Sequence, residues 1–167
     1  MEITDDEVEA VAPLLPAVPA VPDVGFEELF VAERVPMTRL AYLLVGSEAV
    51  AEEVVQDAFA QVYQRWGGLD RPGGYLRTCV VHGARRASRR RARDLRVVHR
   101  PEPAALGARE LLDALGRLRP SWRAVVVLRF YGGMTQDEIA TALGMRPGTV
   151  KSALHRALGQ LREEIER

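Results

Sequence analysis

The sequence predicts an all-α fold built from two small helical domains that are joined by a flexible linker. Apolar residues recur at helical spacing in long stretches on both sides of residues 95–108. That middle stretch contains Pro101 and Pro103 and has no sustained period, which is typical of a linker. Farther along the chain, Gly144 separates two short helical patterns. The predicted segments are a tail at 1–24, a helical domain at 25–93, a linker at 94–108 and a second helical domain at 109–167.

The charge of the chain is unevenly distributed. The 167 residues include 23 lysines and arginines and 23 aspartates and glutamates, so the formal net charge is zero. Residues 1–24 contain six acids and no cation, whereas residues 71–100 contain ten arginines and one acid, Asp94. A basic block of this density favours an anionic partner.

Cysteine content and hydropathy favour a soluble, cytoplasmic protein without membrane insertion. The single cysteine, Cys79, excludes an internal disulfide, and no apolar run approaches the length of a membrane-spanning helix. The first residues are acidic, whereas a signal peptide begins with a basic region.

The tail carries prolines at a constant spacing of three, at Pro13, Pro16, Pro19 and Pro22. Polyproline II has three residues per turn, so these prolines would form one ridge. A segment of this composition buries too little apolar surface to order itself, which predicts a disordered tail. The alternative hypothesis is that the ridge docks on a partner or on the basic block of the same chain.

The first domain is predicted to contain three or four helices. The first covers residues 26–45, where Pro36 bends or divides it, and the second covers residues 48–66. A glycine-rich loop follows over residues 67–74, and a third helix covers residues 75–93. The predicted core comprises Phe26, Leu29, Phe30, Leu40, Leu43, Leu44, Val55, Ala58, Phe59, Val62, Trp66, Leu76, Cys79, Val80, Gly83, Ala84 and Ala87.

The second helix presents a polar face that contains no cation. Its members are Glu53, Gln56, Asp57, Ala60 and Gln64. Many helices have such a face for solubility alone. The functional alternative is a docking surface for a basic or amide-rich protein.

The third helix presents a basic stripe. Its members are Thr78, His82, Arg85 and Arg89, at i, i+4, i+7 and i+11, with Tyr75, Arg77 and Arg86 on its flanks. Arginines on one helix face repel one another unless acids lie at helical spacing, and here acids are nearly absent. The stripe therefore favours phosphate binding with a strong dependence on salt, although a merely solvated basic face is the alternative.

The second domain is predicted to contain four short helices, at about 109–118, 121–131, 135–143 and 147–164. The last two predict a helix-turn-helix. Thr135 and Glu138 have the spacing of a capping box, Gly144 suits the left-handed end of a helix, and Pro147 suits the first turn of the next.

The helix from Pro147 has the faces that a DNA-reading helix needs. Its apolar stripe comprises Val150, Leu154, Ala157, Leu158, Leu161 and Ile165. The opposite side presents Gly148, Lys151, Ser152, His155 and Gly159, with Arg156 toward its flank. Such a helix packs on its partner and still enters a major groove, whereas an ordinary packed surface helix is the alternative.

No constellation of side chains supports catalysis. The three histidines, His82, His99 and His155, are far apart and lack metal-ligand spacing with one another or with Cys79. Cys79 falls on a predicted buried face, where a thiol is usually inert. The paired glycines of the loop lack the lysine and hydroxyl of a phosphate-binding loop. We therefore expect no enzyme activity, no metal and no cofactor.

The chain resembles a bacterial RNA polymerase sigma factor of the extracytoplasmic-function (ECF) group, and the resemblance covers about residues 25–165. Residues 51–59, Ala-Glu-Glu-Val-Val-Gln-Asp-Ala-Phe, resemble the stretch of sigma region two that docks on the clamp helices of the polymerase β′ subunit. Residues 134–139, 148–152 and 154–157 are similar to the promoter-reading helix-turn-helix of sigma region four.

The resemblance implies a protein that binds core RNA polymerase, recognises the −10 and −35 promoter elements and promotes transcription initiation. It implies as partners the β′ clamp helices, the β flap, promoter DNA and an anti-sigma factor, which is frequent in the family. Strand opening would use the loop around residues 66–74, where Trp66 is either a stacking platform or, as its place on the apolar stripe favours, a core residue.

The resemblance also implies three sets of contact residues. The −10 contacts would be Tyr75, Arg77, Thr78, His82, Arg85, Arg86 and Arg89. The −35 contacts would be Arg146, Gly148, Thr149, Lys151, Ser152, His155 and Arg156. The polymerase contacts would be Glu52, Glu53, Gln56 and Asp57.

Two positions depart from the usual pattern of the family. Ala153 stands where members usually have an arginine, and His82-Gly83 stands where they usually have Arg-Asn. A glycine inside a helix also weakens it by roughly 0.5 to 1 kcal/mol relative to alanine. The promoter sequence therefore cannot be transferred from relatives.

Two alternatives remain open on the sequence. A transcriptional regulator of the response-regulator effector type has a similar helix-turn-helix, but it explains only residues 110–165. A decoy that binds polymerase without promoter selectivity is the other alternative.

Overall fold

The computed structural model describes residues 25–93 and 106–165, and each range belongs to its own compact unit. The predicted tail and most of the predicted linker lie outside the described residues. The helices are α1 Phe26–Val45, α2 Glu48–Gln64, α3 Pro72–Arg93, α4 Leu106–Arg117, α5 Pro120–Phe130, α6 Gln136–Leu143 and α7 Pro147–Ile165, with a 3-10 turn at Trp66–Gly68. The described residues contain no strand, so the predicted all-α fold of two helical domains is confirmed.

The first unit is a bundle in which α1, α2 and α3 all pack on one another. The helices bury Leu40, Val62 and Val80 completely, as the apolar spacing predicts. Gly46 ends α1 with φ 68°, a left-handed conformation that glycine adopts without steric cost, and its N–H donates to the carbonyl of Tyr42. α2 begins two residues later, so α1 and α2 form a tight helical hairpin.

Three details of the first unit differ from the prediction. Of the two effects predicted for Pro36, a bend or a division, the division is absent, because α1 is continuous past it. The carbonyl that loses its partner four residues earlier belongs to the exposed Ala32 and can be hydrated. Residues 72–74 are not loop but the first turn of α3, where Pro72 needs no N–H donor. Phe30 is not a core residue: it is 40% exposed on the flank of α1, where its ring touches Phe59.

The second unit packs α7 against α4, α5 and α6. The predicted capping box is present: Thr135 N donates to Glu138 Oε2 over 2.7 Å, and Glu138 N donates to Thr135 Oγ1 over 3.3 Å. Gly144 ends α6 with φ 62°. α4 begins at Leu106, three residues past Pro103 and inside the segment predicted as linker.

Gly83 of α3 packs tightly against Val54 of α2. A Cβ atom built on Gly83 would lie 2.9 Å from Cγ1 of the buried Val54, which is closer than real Cβ contacts allow. Valine is stiff about χ1, so its methyl group cannot swing away freely. The glycine that the sequence marks as a weak helix residue therefore lets the two helices pack closely.

We predict that Gly83→Ala destabilises the first unit by about 1 to 2 kcal/mol, although alanine has the higher helix propensity, because the added methyl group overpacks the α2–α3 contact. Urea unfolding followed by Trp66 fluorescence, in a Trp122→Phe background, measures this change. Gly74→Ala is the matched control on the same helix, since a Cβ there meets nothing closer than 3.9 Å. Equal stabilities for the two variants would contradict the packing argument.

Candidate nucleic-acid interface

The basic stripe of α3 is open to solvent. Thr78, His82 and Arg89 are exposed, and Arg85 is half-buried. At about 1.5 Å of rise per residue, the eleven steps from Thr78 to Arg89 span roughly 16 Å. Neither Arg85 nor Arg89, nor the exposed Arg86, forms an ion pair with an acid of the described chain. The positive charge is therefore available to an external anion.

The two flanking residues nearest the start of α3 are more firmly tied to the domain. Tyr75 is half-buried; its hydroxyl accepts a hydrogen bond from Arg65, whose guanidinium lies 5.5 Å from the centre of the Tyr75 ring. Arg65 follows α2, so this contact bridges both ends of the 66–71 connection. Arg77 is half-buried as well, and its Nε atom is buried without a hydrogen-bond partner in the described residues.

A buried carboxyl lies near Arg77, at Glu33 of α1. Glu33 is only 2% exposed, in the apolar stripe between Leu29 and Met37. Burial raises its pKa, and the nearby charge of Arg77 lowers the pKa by a smaller amount. Sequence reasoning missed this residue, although a glutamate in an otherwise apolar stripe was the available signal.

Cys79 lies on the buried face of α3, as the sequence predicts. Burial raises the pKa of the Cys79 thiol, and a hydrogen bond with Tyr75 opposes this effect. A thiol with a raised pKa is a poor nucleophile. Cys79 therefore fills the core beneath the stripe.

The polar face of α2 is fully on the surface. Glu52, Glu53, Gln56 and Asp57 are all exposed. Between α2 and α3 lies a groove of about 280 Å³, lined by Glu53 and Asp57 on the α2 side and by arginines of α3, including Arg86, on the other. The structure thus places two acids of α2 and three arginines of α3 on opposite walls of one groove, which Arg86 alone of the basic stripe and its flanks lines.

The helix-turn-helix presents its polar side outward. The exposed members are Arg146, Gly148, Thr149, Lys151, Ser152 and Arg156, while His155 is half-buried. Gln136 Nε2 donates to the carbonyl of Pro147 over 2.9 Å, which ties the start of α6 to the start of α7. Ala153 is 5% exposed and belongs to the packed face, so its side chain is not available to DNA.

Comparison with known proteins assigns each of the two units to a protein family. The sequence models of sigma-70 region 2 and of sigma-70 region 4 match residues 29–94 and 108–161, respectively. The RNA polymerase sigma-E factor of Streptomyces antibioticus is 38% identical to this chain over 154 residues, which cover 84% of each sequence. The chain is an ECF sigma factor.

This sigma factor acts with RNA polymerase in transcription initiation and is not itself an enzyme. A further relative, the ECF RNA polymerase sigma factor SigL of Mycobacterium tuberculosis (strain Erdman), is 36% identical over 144 residues, covering 77% of this chain and 81% of that one. The family resemblance is therefore confirmed. The regulator alternative fails because it leaves the matched first domain without a role.

Solved structures share the fold. The sigma factor RpoE of Bartonella quintana, in complex with the anti-sigma factor NepR, has a TM-score of 0.68 at 20% identity, covering 84% of this chain and 96% of that one. CnrH in complex with the cytosolic domain of CnrY has a TM-score of 0.61 at 25% identity, covering 84% and 87%.

Within the described ranges 25–93 and 106–165, every helix is too short or too polar to span a bilayer. No three His, Cys, Asp and Glu side chains of these two ranges cluster as a metal site would require.

We predict that Glu33→Gln stabilises the first unit increasingly as the pH rises. Because the pKa of Glu33 is higher in the folded than in the unfolded state, folding favours the protonated acid. The wild type therefore loses stability as the pH rises above the unfolded pKa of about 4 toward 7. Glutamine stays neutral throughout, so the stability difference between variant and wild type should grow over this window. Unfolding midpoints at several pH values measure it, with the exposed Glu52→Gln as the charge control; a constant difference would contradict the assignment.

Proposed function

We propose that three exposed faces of this sigma factor each bind a different target. The basic stripe of α3 contacts the −10 element, the polar side of α7 contacts the −35 element, and the acidic face of α2 contacts core polymerase. The observation that carries the proposal is the arginine stripe of α3, in which Arg85, Arg86 and Arg89 form no ion pair with an acid of the described residues. Each module alone would bind weakly, and tethering them in one chain raises the effective concentration of the second contact.

At the −10 element, Thr78, His82, Arg85, Arg86 and Arg89 would contact the DNA directly. Thr78 Oγ1 already donates to the carbonyl of Gly74 over 3.0 Å, so its hydroxyl has acceptor capacity left for DNA donors. Tyr75 and Arg77, which are half-buried, would support this surface and contact DNA only at its edge.

Strand opening would use the connection between α2 and α3. The Trp66 ring packs edge-on against Phe26, with 5.3 Å between ring centroids, which supports its role as a core residue rather than a stacking platform. Arg65 and Tyr75 hold the two ends of the connection together. An unpaired base would then be captured by the exposed residues of the 67–71 segment.

At the −35 element, Lys151 and Arg156 supply positive charge, while Thr149 and Ser152 supply hydroxyl groups. Ser152 Oγ donates to the carbonyl of Gly148 over 2.9 Å, so its hydroxyl oxygen keeps acceptor capacity for DNA donors. Because Ala153 is buried, the arginine contact usual at this position in the family is missing. The recognised sequence should differ accordingly from that of relatives with the arginine.

On the polymerase, Glu52, Glu53, Gln56 and Asp57 would dock on the clamp helices of the β′ subunit, and the second unit would dock on the β flap. Two similar structures are complexes of RpoE with the anti-sigma factor NepR and of CnrH with the cytosolic domain of CnrY. We extend this mode of regulation to the present chain: an anti-sigma factor would hold it inactive in the cytoplasm.

Replacing both Arg85 and Arg89 by alanine should weaken promoter binding by the holoenzyme on all sequences. The slope of log K against log salt is negative, and each lost phosphate contact makes it shallower by about 0.7 to 0.9. The slope of the double variant should therefore be shallower by about 1.4 to 1.8. Filter binding at several salt concentrations measures it. Arg34→Ala with Arg39→Ala, two exposed arginines of α1, is the matched control. An unchanged slope in the variant that lacks Arg85 and Arg89 would contradict phosphate binding by these two arginines.

The double variant Gln56→Ala/Asp57→Ala should bind core polymerase at least about tenfold more weakly, because a hydrogen-bonded interface charge contributes about 1.5 kcal/mol or more. Competition for core against the wild type measures the loss. Glu27→Ala, an exposed acid at the start of α1, controls for net charge. The unfolding midpoint of the double variant must stay unchanged. A core affinity of the variant equal to that of the wild type would refute the docking face. Core binding by the wild-type chain without promoter-dependent transcripts would instead favour a decoy.

A further inference from the structure

The groove between α2 and α3 carries charges of both signs, of which the proposed function uses only part. Its acids, Glu53 and Asp57, belong to the face proposed to bind polymerase, whereas its arginines are Arg86, Arg90 and Arg91. Two acids and three arginines give the lining a formal charge of +1. A partner that is only basic would gain little there, because repulsion from the arginines offsets its attraction to the acids. The groove therefore fits a partner that itself carries both signs.

The charges of the two walls do not neutralise one another by pairing across the groove. Arg86 and Arg90 are exposed, and within the described residues neither forms an ion pair with the acids of the opposite wall. Arg91 is half-buried, and its Nη1 donates to the carbonyl of Val45 over 3.1 Å, which holds it at the end of α1. Arg86 and Arg90 are thus the two arginines of the groove that a partner reaches most readily.

The floor between the two walls is apolar and made of small side chains. Val50 and Val54 of α2 and Gly83 and Ala87 of α3 line it. Gly83 and Ala87 are one helical turn apart on α3, and their small size leaves the groove open where the two helices pack together. Val50, Gly83 and Ala87 are only half-buried, so an apolar side chain of a partner would remove further apolar surface from water there.

We propose that the polymerase helix that contacts Glu53 and Asp57 lies in this groove and presents a carboxylate to Arg90 of α3. Its cation faces the acidic wall, and an apolar side chain rests on the floor. A helix that packs over the groove between two others is the usual geometry of helical bundles. This inference rests on the proposed docking of α2 on polymerase and extends it, because α3 then binds polymerase as well as DNA.

The carboxylate of the partner follows from the loss of water on docking. A helix that covers the groove excludes water from both walls, and a guanidinium that loses water without gaining an acid opposes binding. A carboxylate accepts charge-assisted hydrogen bonds from a guanidinium and offsets this loss. The arginine wall thereby also rejects purely basic helices, which the acids of α2 alone would attract.

Two neighbouring arginines of α3 consequently have different targets. Consecutive residues of a helix lie about 100° apart around its axis, so Arg89 and Arg90 point in different directions. Arg89 belongs to the basic stripe, whereas Arg90 lines the groove and is not part of the stripe or its flanks. Arg86, one turn before Arg90, borders both surfaces. Arg89 therefore serves the −10 element and Arg90 serves polymerase.

The assignment of Arg90 is tested by competition for core polymerase against the wild type, without DNA. Arg90→Glu should bind core about tenfold more weakly or worse, because the partner's carboxylate would then face a like charge. Arg90→Lys keeps the positive charge and should stay within about threefold of the wild type. Arg39→Glu, at an exposed arginine of α1, is the matched control for charge reversal and should bind core as the wild type does.

A second measurement does not depend on reversing a charge. A photoreactive side chain at position 90 of the full chain should crosslink, in the holoenzyme on promoter DNA, to the same polymerase segment as one at position 57. Crosslinking of position 90 to promoter DNA would overturn the proposal in favour of a phosphate contact.

The outcomes separate this inference from the proposed function. Equal core affinities of Arg90→Glu and Arg39→Glu would overturn the inference. The proposed docking of α2 would nevertheless stand if Gln56→Ala/Asp57→Ala still bound core weakly, and it would fall as well if that variant bound core as the wild type does. Full core affinity of Arg90→Glu together with weaker promoter binding by its holoenzyme would assign Arg90 to DNA and overturn the inference too.

Discussion

The close contact of α2 and α3 is the constraint on which the rest of the first unit depends. Gly83 offers no side chain at the point where Val54 presses against it, so the two helices lie side by side with their polar faces turned outward. One face is acidic and the other is rich in arginine, and the groove between them has a wall of each sign. On the proposed roles of these faces, this packing would let one domain hold polymerase and the −10 element at the same time.

The helix-turn-helix of the second unit is stabilised by hydrogen bonds between residues that are close in sequence. The reciprocal bonds of Thr135 and Glu138 begin α6, the left-handed Gly144 ends it, and the bond from Gln136 to Pro147 ties the two helices together. These contacts join residues at most eleven positions apart, whereas the buried side chains of α6, such as Ile139 and Leu143, supply the packing that a short helix needs. The polar side of α7 is thereby presented on a packed support. On the proposed roles of the two faces, tethering would combine two weak DNA contacts into one promoter-selective reader.

Local signals made most of this fold predictable from sequence. The capping box and the glycine turn depend on spacings of three or four residues, and the structure has both of them. The differences come from tertiary packing, which spacing does not encode. Phe30 has the periodicity of a core residue but lies on the flank of α1, Glu33 takes the buried place instead, and Gly83 is understood only against Val54. The groove between the acids of α2 and the arginines of α3 could not be predicted either, because it depends on how the two helices pack.

The most direct measurement of the central claim is site-specific photocrosslinking in the holoenzyme on a promoter selected by transcription from a randomised library. A photoreactive side chain at Arg89 should crosslink to the −10 region, and one at Lys151 should crosslink to the −35 region. One at Gln56 should crosslink to the β′ subunit and not to DNA. Crosslinking of positions 89 and 151 to the same element, or of position 56 to promoter DNA, would contradict the division of the three faces.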